Sequence, residues 1–282
     1  MVGRVDSFTA AHNLSLRGTI PLIEELELYG KLNLINKMKK EEIINALKND
    51  EEYYNGIGKK YLSASDIGTL VRNPKNFGVS EPKSKELLEG TYFHKYILER
   101  EKLADMVIVD ASTRNTNIYK DAIEQSGEEC LLLQSEADAM GELACTIISN
   151  PVFFDEIYDE GNQFEVPMIG EIFGLPFKGK ADIVRKDFLI DLKTTSDIND
   201  FRWSAKKYNY DSQCYVYQCL FGLPLYFIVA CKKTKMLGIY KPSQEFINNG
   251  RDKVLTAVEN YHKFFGPNRT HDVNQYYFDE IL

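Results

Sequence analysis

Two aspartates and a lysine stand where they could act together on a metal ion and a phosphate. Lys178-Gly179-Lys180-Ala181-Asp182-Ile183-Val184 is followed, across a short polar turn, by Phe188-Leu189-Ile190-Asp191-Leu192-Lys193-Thr194-Thr195. The second segment sets Asp191 and Lys193 between Leu189, Ile190 and Leu192, the period-2 pattern of a half-buried strand. Asp191 and Lys193 therefore share one face, and Ile190 and Leu192 point into a core. A hairpin closed by the two residues Lys186-Asp187 places Asp182 directly opposite Asp191, whereas a one-residue slip puts them on opposite faces. Asp tolerates the left-handed backbone such a turn demands, although no Gly accompanies it. Adjacent carboxylates repel unless a cation or a proton lies between them. An all-oxygen pair beside a lysine suits Mg²⁺ or Mn²⁺. The plain alternative is a surface hairpin in which Lys193 pairs with either aspartate.

Other elements must bring further side chains to this hairpin. Ser63-Ala64-Ser65-Asp66 has the form of a capping box ahead of Ile67, Leu70 and Val71, so a helix starts at Ser63. Its free N–H groups could meet a phosphate near Ser63 and Ser65, or the serines could simply cap. Ser84 caps the next helix, through Leu87, Gly90, His94, Ile97 and Leu98. His94, four residues after Gly90 and seven after Leu87, is expected on an inward face beside a position without a side chain. From this helix alone, a core histidine bonded to a carbonyl is the commoner reading. Phe164-Glu165-Val166-Pro167-Met168-Ile169 begins the sheet. Thr194 and Thr195 could bond phosphate or cap a helix opening near Ser196-Asp197. Gln213 and Tyr217 are i and i+4 on a helix that Gly222 and Pro224 close.

Asp182, eight residues, then Asp191-Leu192-Lys193 resembles the PD-(D/E)xK nuclease signature. GKADIV…LIDLKTT with the downstream YNYDSQCYVY is similar to the RecB-like branch, most of all to phage and prophage RecE-type exodeoxyribonucleases and, more distantly, to lambda exonuclease. The likeness runs from about Tyr61 to about Phe265. It implies an α/β (α+β) fold with a restriction-endonuclease-like core, a central mixed β-sheet flanked by helices. Gly90-Thr91-Tyr92-Phe93-His94 resembles the G-x-x-x-H motif whose imidazole is a metal ligand. Gln213 and Tyr217 match the Q-x-x-x-Y motif placed over the metal site, and Glu165 is a third carboxylate near the metal or a plain edge-strand glutamate. The resemblance thus implies Mg²⁺, or Mn²⁺, on His94, Asp182, Asp191 and the Leu192 carbonyl, with Lys193 positioning or deprotonating the attacking water. It further implies 5′→3′ digestion of duplex DNA ends, a homo-oligomeric ring of three or four subunits and a single-strand annealing partner in phage-type recombination. A RecB-like endonuclease or single-strand nuclease is the alternative within enzymes, and a non-catalytic DNA-binding module the alternative outside them.

The chain has 282 residues, enough for one large domain or a domain with an appendage. Residues 1–50 read as an N-terminal appendage, 51–270 as the nuclease domain and 271–282 as a tail. The net charge of −8 argues against a protein that coats nucleic acid through diffuse positive potential. The run Leu225–Ala230 is too short to span a bilayer and no signal segment opens the chain, so a cytoplasmic protein without a membrane partner is expected. The cysteines, five in number, form no C-x-x-C pair and are expected to be reduced core residues. Asn117 to Tyr158 reads as helical packing. Arg202, Lys206 and Lys207 with Phe201 and Trp203 form a basic, aromatic stretch that could border a DNA groove. Lys232 and Lys233 form a basic turn that could face phosphates.

Overall fold

The structure, a computed structural model, describes residues 39–79 and 82–277. The chain divides into two compact units, Met1–Ile57 and Gly58–Leu282. In the first, residues 39–46 are helical, and Asn49 caps a further helix, α1 (Asp50–Tyr54), by accepting from the Glu52 N–H. The polar run Asn49-Asp50-Glu51-Glu52 thus separates the two helices and opens the second, where Asp50, Glu51 and Glu52 complement the positive end of the helix dipole. The amphipathic pattern at Leu22, Ile23 and Leu26 and the acidic Asp279-Glu280 lie outside the described residues.

The second unit opens with α2 (Ala64–Arg72) and α3 (Lys85–Leu98). Asp66 accepts from the Ser63 N–H at 2.7 Å, and Ser84 accepts from Leu87 N–H, so both helices begin at the expected caps. Then come β1 (Ile108–Val109), α4 (Asn117–Ser126), β2 (Leu132–Leu133), α5 (Gln134–Ile148) and α6 (Pro151–Tyr158). The stretch read as helical throughout contains β2, which pairs parallel with β1 over a small core of Val109, Tyr119, Leu131 and Leu133. Two apolar residues are too short a run to show a period.

The main sheet runs β3 (Gln163–Ile172), β4 (Leu175–Val184), β5 (Leu189–Thr195), β6 (Leu225–Cys231) and β7 (Leu237–Tyr240) in sequence order, antiparallel except between β5 and β6. The β5–β6 crossover carries α7 (Phe201–Lys207) and α8 (Tyr210–Phe221), and α9 (Gln244–Phe264) follows β7. The mixed α/β fold is the expected one. Helices cover both faces: Phe177, Leu189, Leu225 and Phe227 pack with α2, α8 and α9, while Ile190, Leu192 and Ile228 pack with α3, α5 and α6. The β4–β5 turn closes on two residues, with Arg185 N–H bonded to Phe188 O. Neither Lys186 nor Asp187 has positive φ, so the left-handed turn is not used; a turn of ordinary φ needs no Gly. Helix α7 starts at Phe201, later than the opening expected near Ser196, because Asp197 is held in a tight turn by Thr195. Cys145 and Cys219 are exposed, contrary to the core reading, while Cys214 and Cys231 are buried and all five thiols are free. No helix among the described residues is long and apolar enough to cross a membrane.

Helix α8 sits close on the sheet because Gly170 and Gly179 lie beneath it; a Cβ there would come within 2.9 and 3.1 Å of Leu220. At its other side α9 crosses at Gly250, where a Cβ would meet the Asp211 carbonyl oxygen. Gly250→Ala therefore forces the two helices apart, and chemical denaturation is expected to show a loss of about 1–3 kcal/mol. Glu136 opens α5 in a network with Arg114 at 2.6 and 2.8 Å, the Leu133 N–H at 3.0 Å and Lys85 at 3.1 Å. Burial works against its charge, but these partners win and hold the carboxyl down to about 2 from an ordinary 4.5. Its contribution is complete above the ordinary value and disappears as pH falls through about 2. The melting-temperature gap between the wild type and Glu136→Gln is expected to narrow steadily from pH 5 to pH 2.

Candidate active site

The site forms where β4 and β5 part. They pair only at Ile183 with Ile190 and at Val184 with Leu189. One step further the register sets Asp182 opposite Asp191, as the two-residue turn requires. There the Asp182 carboxylate, in place of β4 backbone, accepts the Leu192 N–H at 2.7 Å. The Leu192 carbonyl accepts from His94 Nε2 at 2.8 Å, which turns His94 Nδ1 toward Asp182 Oδ2 at 3.3 Å. The opening lets α3 reach the acids from one face of the sheet and α8 from the other.

Helix α8 holds the second aspartate. Gln213 Nε2 donates to Asp191 Oδ1 at 2.5 Å, and Lys193 pairs with Asp191 Oδ2 at 2.5 Å. Tyr217 donates to the Lys180 carbonyl at 2.8 Å, fixing the helix against β4. The Lys193 ammonium also lies over the Tyr210 ring, 4.8 Å from its centre. Sequence reasoning passed over Tyr210, although its place three residues before Gln213 and seven before Tyr217 puts it on the same helix face.

Glu165 completes the cluster. The β3–β4 register sets it opposite Asp182, but pairing is interrupted there and Glu165 takes a left-handed φ of 50°. Such a backbone is costly for a residue with a Cβ, and it marks a functional position more often than a random one. Donor atoms of His94, Glu165 and Asp182 all lie within 4.8 Å of one another. Burial, then the nearby Asp182, pushes Glu165 up to about 8. Burial also raises Asp191 despite Lys193. Burial would lower His94, but the Asp182 charge outweighs it and holds the imidazole at about 9. Asp182 itself is held below the usual carboxylate range, its burial being outweighed by His94, Lys193 and the Leu192 N–H. Burial opposes the Lys193 charge, yet Asp191 prevails and raises the ammonium. His94 and Glu165 thus both favour their protonated forms at neutral pH beside the charged Asp182, a cluster that a divalent cation would satisfy instead. The two carboxylates suit Mg²⁺ or Mn²⁺, and the imidazole, a softer partner than Mg²⁺ favours, tilts the set toward Mn²⁺.

The structure brings together His94, Glu165, Asp182, Asp191, Leu192, Lys193, Gln213 and Tyr217, with Asp191 held by Gln213 and Lys193 outside the three-donor cluster. Leu87, expected inward with His94, is 57% exposed, and the Gly90 position opens on empty space. The Ser63 hydroxyl is engaged with Asp66 at 2.6 Å and with Ser65 at 2.9 Å. The Thr195 hydroxyl bonds within the Asp197 turn, and Thr194 precedes it at the end of β5. Lys232, read as facing phosphates, is paired with the buried Glu89 at 2.9 Å.

A family model described as a PDDEXK-like domain of unknown function (DUF3799) matches residues 72–269. Among solved structures, a protein from Eubacterium rectale provisionally named an exonuclease superposes with a TM-score of 0.57 at 20% identity, covering 83% of this chain and 95% of its own. A phage-related exonuclease from Haemophilus somnus 129PT covers 72% of this chain and 94% of its own, with a TM-score of 0.34 at 16% identity. No curated protein matches.

A cation that binds the folded state alone stabilises it by mass action, about 2.7 kcal/mol at a hundred times its Kd. Differential scanning fluorimetry is expected to show the melting temperature rising with added Mn²⁺ or Mg²⁺. Asp182→Asn is expected to remove most of that rise, since it takes away both a donor and the charge that faces His94.

Proposed function

This chain belongs to the PDDEXK-like family matched over residues 72–269, and on that basis we propose that it is a divalent-metal-dependent deoxyribonuclease. The observation that carries the reading is the meeting of Asp182, Asp191 and Lys193 at the β4–β5 fork with His94 and Glu165 beside them. His94, Glu165 and Asp182 would hold the cation, with Asp191 and the Leu192 carbonyl adjacent. When bound, such an ion acidifies a water and screens the charge of a phosphodiester.

The chain's own groups account for the rest. Lys193 is raised, so at neutral pH it is a cation. Held by Asp191, it supports the charge that grows on the phosphate and orients the water by donating to it. Gln213 and Tyr210 fix that ammonium by holding Asp191 and supporting Lys193 from beneath. The substrate we assign is DNA at duplex ends, digested 5′→3′ to leave single-stranded 3′ tails for an annealing partner, with processivity supplied by a ring of subunits. The resemblance of GKADIV…LIDLKTT and YNYDSQCYVY to the RecE-type enzymes supports this finer reading.

Linear duplex labelled at a 5′ end or at a 3′ end, incubated with Mg²⁺ or Mn²⁺, tests it. The expected result is early release of 5′-labelled mononucleotide, with Lys193→Ala slower by at least about 10²–10³-fold. Cleavage of circular DNA into a ladder would favour the endonuclease. DNA binding without cleavage in either metal would overturn the nuclease reading.

A further inference from the structure

Beyond the hydrolytic groups, a line of rings leads outward from Lys193. The Tyr210 ring under its ammonium is followed by the Tyr208 ring, 6.1 Å away between centres and inclined by 33°. Tyr208 is 57% exposed, and on the adjoining helix α7 Trp203 is 65% exposed. Isolated exposed aromatics need no explanation, but Tyr208 adjoins the ring under Lys193, and each of the two exposed rings is accompanied by a cation. Lys207 lies over Tyr208 at 5.6 Å and Lys206 over Trp203 at 5.9 Å.

The charge on α7 itself is of one sign, although Asp200 caps its start and Lys253 beside its end is paired with Asp211 at 2.8 Å. Phe201–Lys207 contains Arg202, Lys206 and Lys207 and no acid, in a chain whose net charge is −8. At the end of α7, Arg72 of α2 donates to the Lys207 carbonyl at 2.8 Å, and Lys253 of α9 approaches the Lys206 carbonyl at 3.4 Å. Phe201 and Ala205 anchor the helix in the core, so the outward face carrying Trp203, Lys206 and Lys207 is held rigidly. Exposed rings that every base can stack on, interleaved with cations that meet the backbone, are the chemistry of a single-strand platform.

We propose that Tyr208 and Trp203, with Arg202, Lys206 and Lys207, form a binding surface for single-stranded DNA beside the hydrolytic site. The assignment rests on the nuclease reading for the direction in which the strand runs, from Lys193 past Tyr210 to Tyr208 and on to α7. Bases stack on the two exposed rings, and the lysines and arginine meet phosphates without reading sequence.

Trp203 is the chain's one tryptophan, so its emission reports on this surface directly. The full chain in EDTA and low salt is titrated with oligo-thymidylate, and affinity is measured in parallel by the anisotropy of a labelled oligonucleotide. A saturable quench of Trp203 that weakens steeply with salt is expected. Tyr208→Ala is expected to raise Kd roughly tenfold or more, with Tyr208→Phe retaining affinity because the ring does the stacking. Lys206→Glu with Lys207→Glu weakens binding on any sequence alike. Anisotropy that shows binding while Trp203 stays silent overturns the proposal, as does the absence of binding. Emission that shifts with protein concentration and ignores DNA overturns it in favour of an interface between copies of the chain. End-labelled duplex digested in parallel separates the two readings. Active enzyme with a silent Trp203 sinks this surface alone, and inactive enzyme with a quenched Trp203 sinks the nuclease alone.

Discussion

Keeping like charges buried together is the constraint on which this molecule is arranged. Asp182 and Asp191 are 8% and 3% exposed, with Glu165 beside them, and unpaired carboxylates at such depth would shed their charge. The compensation comes from every layer. Lys193 pairs with Asp191 from the same strand, His94 faces Asp182 from α3, Gln213 donates to Asp191 from α8, and the Leu192 N–H leaves the ladder to bond Asp182. The β4–β5 pairing ends after two residue pairs, and the lost backbone bond is replaced by a side chain, so the fork costs little hydrogen bonding.

That arrangement explains why the sheet is covered on both faces and why its glycines lie where they do. Gln213 reaches Asp191 only if α8 lies close on the sheet, and Gly170 and Gly179 permit that approach. Glu165, at a left-handed φ of 50°, breaks the β3–β4 pairing where it faces Asp182. A cation in the cluster would replace the protons that His94 and Glu165 hold, which ties metal binding to folding energy.

Much of this was legible in the sequence because strands and caps speak locally. The period-2 pattern around Asp191 and Lys193, the two-residue spacing at Lys186-Asp187, and the caps at Ser63 and Ser84 each follow from a few adjacent residues. His94 was legible only through its G-x-x-x-H context, since a lone helical histidine is more often packed than coordinating. What escaped depends on distant partners. The two-residue strands β1 and β2 exist only because they pair with each other, and Lys232 is occupied by Glu89, 143 positions away. Leu87 was placed inward from helical spacing alone, yet among the described residues nothing covers its side chain, which is 57% exposed. Tyr210 was overlooked because a tyrosine among tyrosines looks like packing until a lysine is seen above it.

The most direct measurement is a crystal of the chain soaked in Mn²⁺, with anomalous scattering recorded to locate the ion. The account requires a peak among His94, Glu165 and Asp182, beside Asp191, that disappears in Asp182→Asn crystals. A peak elsewhere, or well-ordered crystals in millimolar Mn²⁺ with none at the fork, would contradict it.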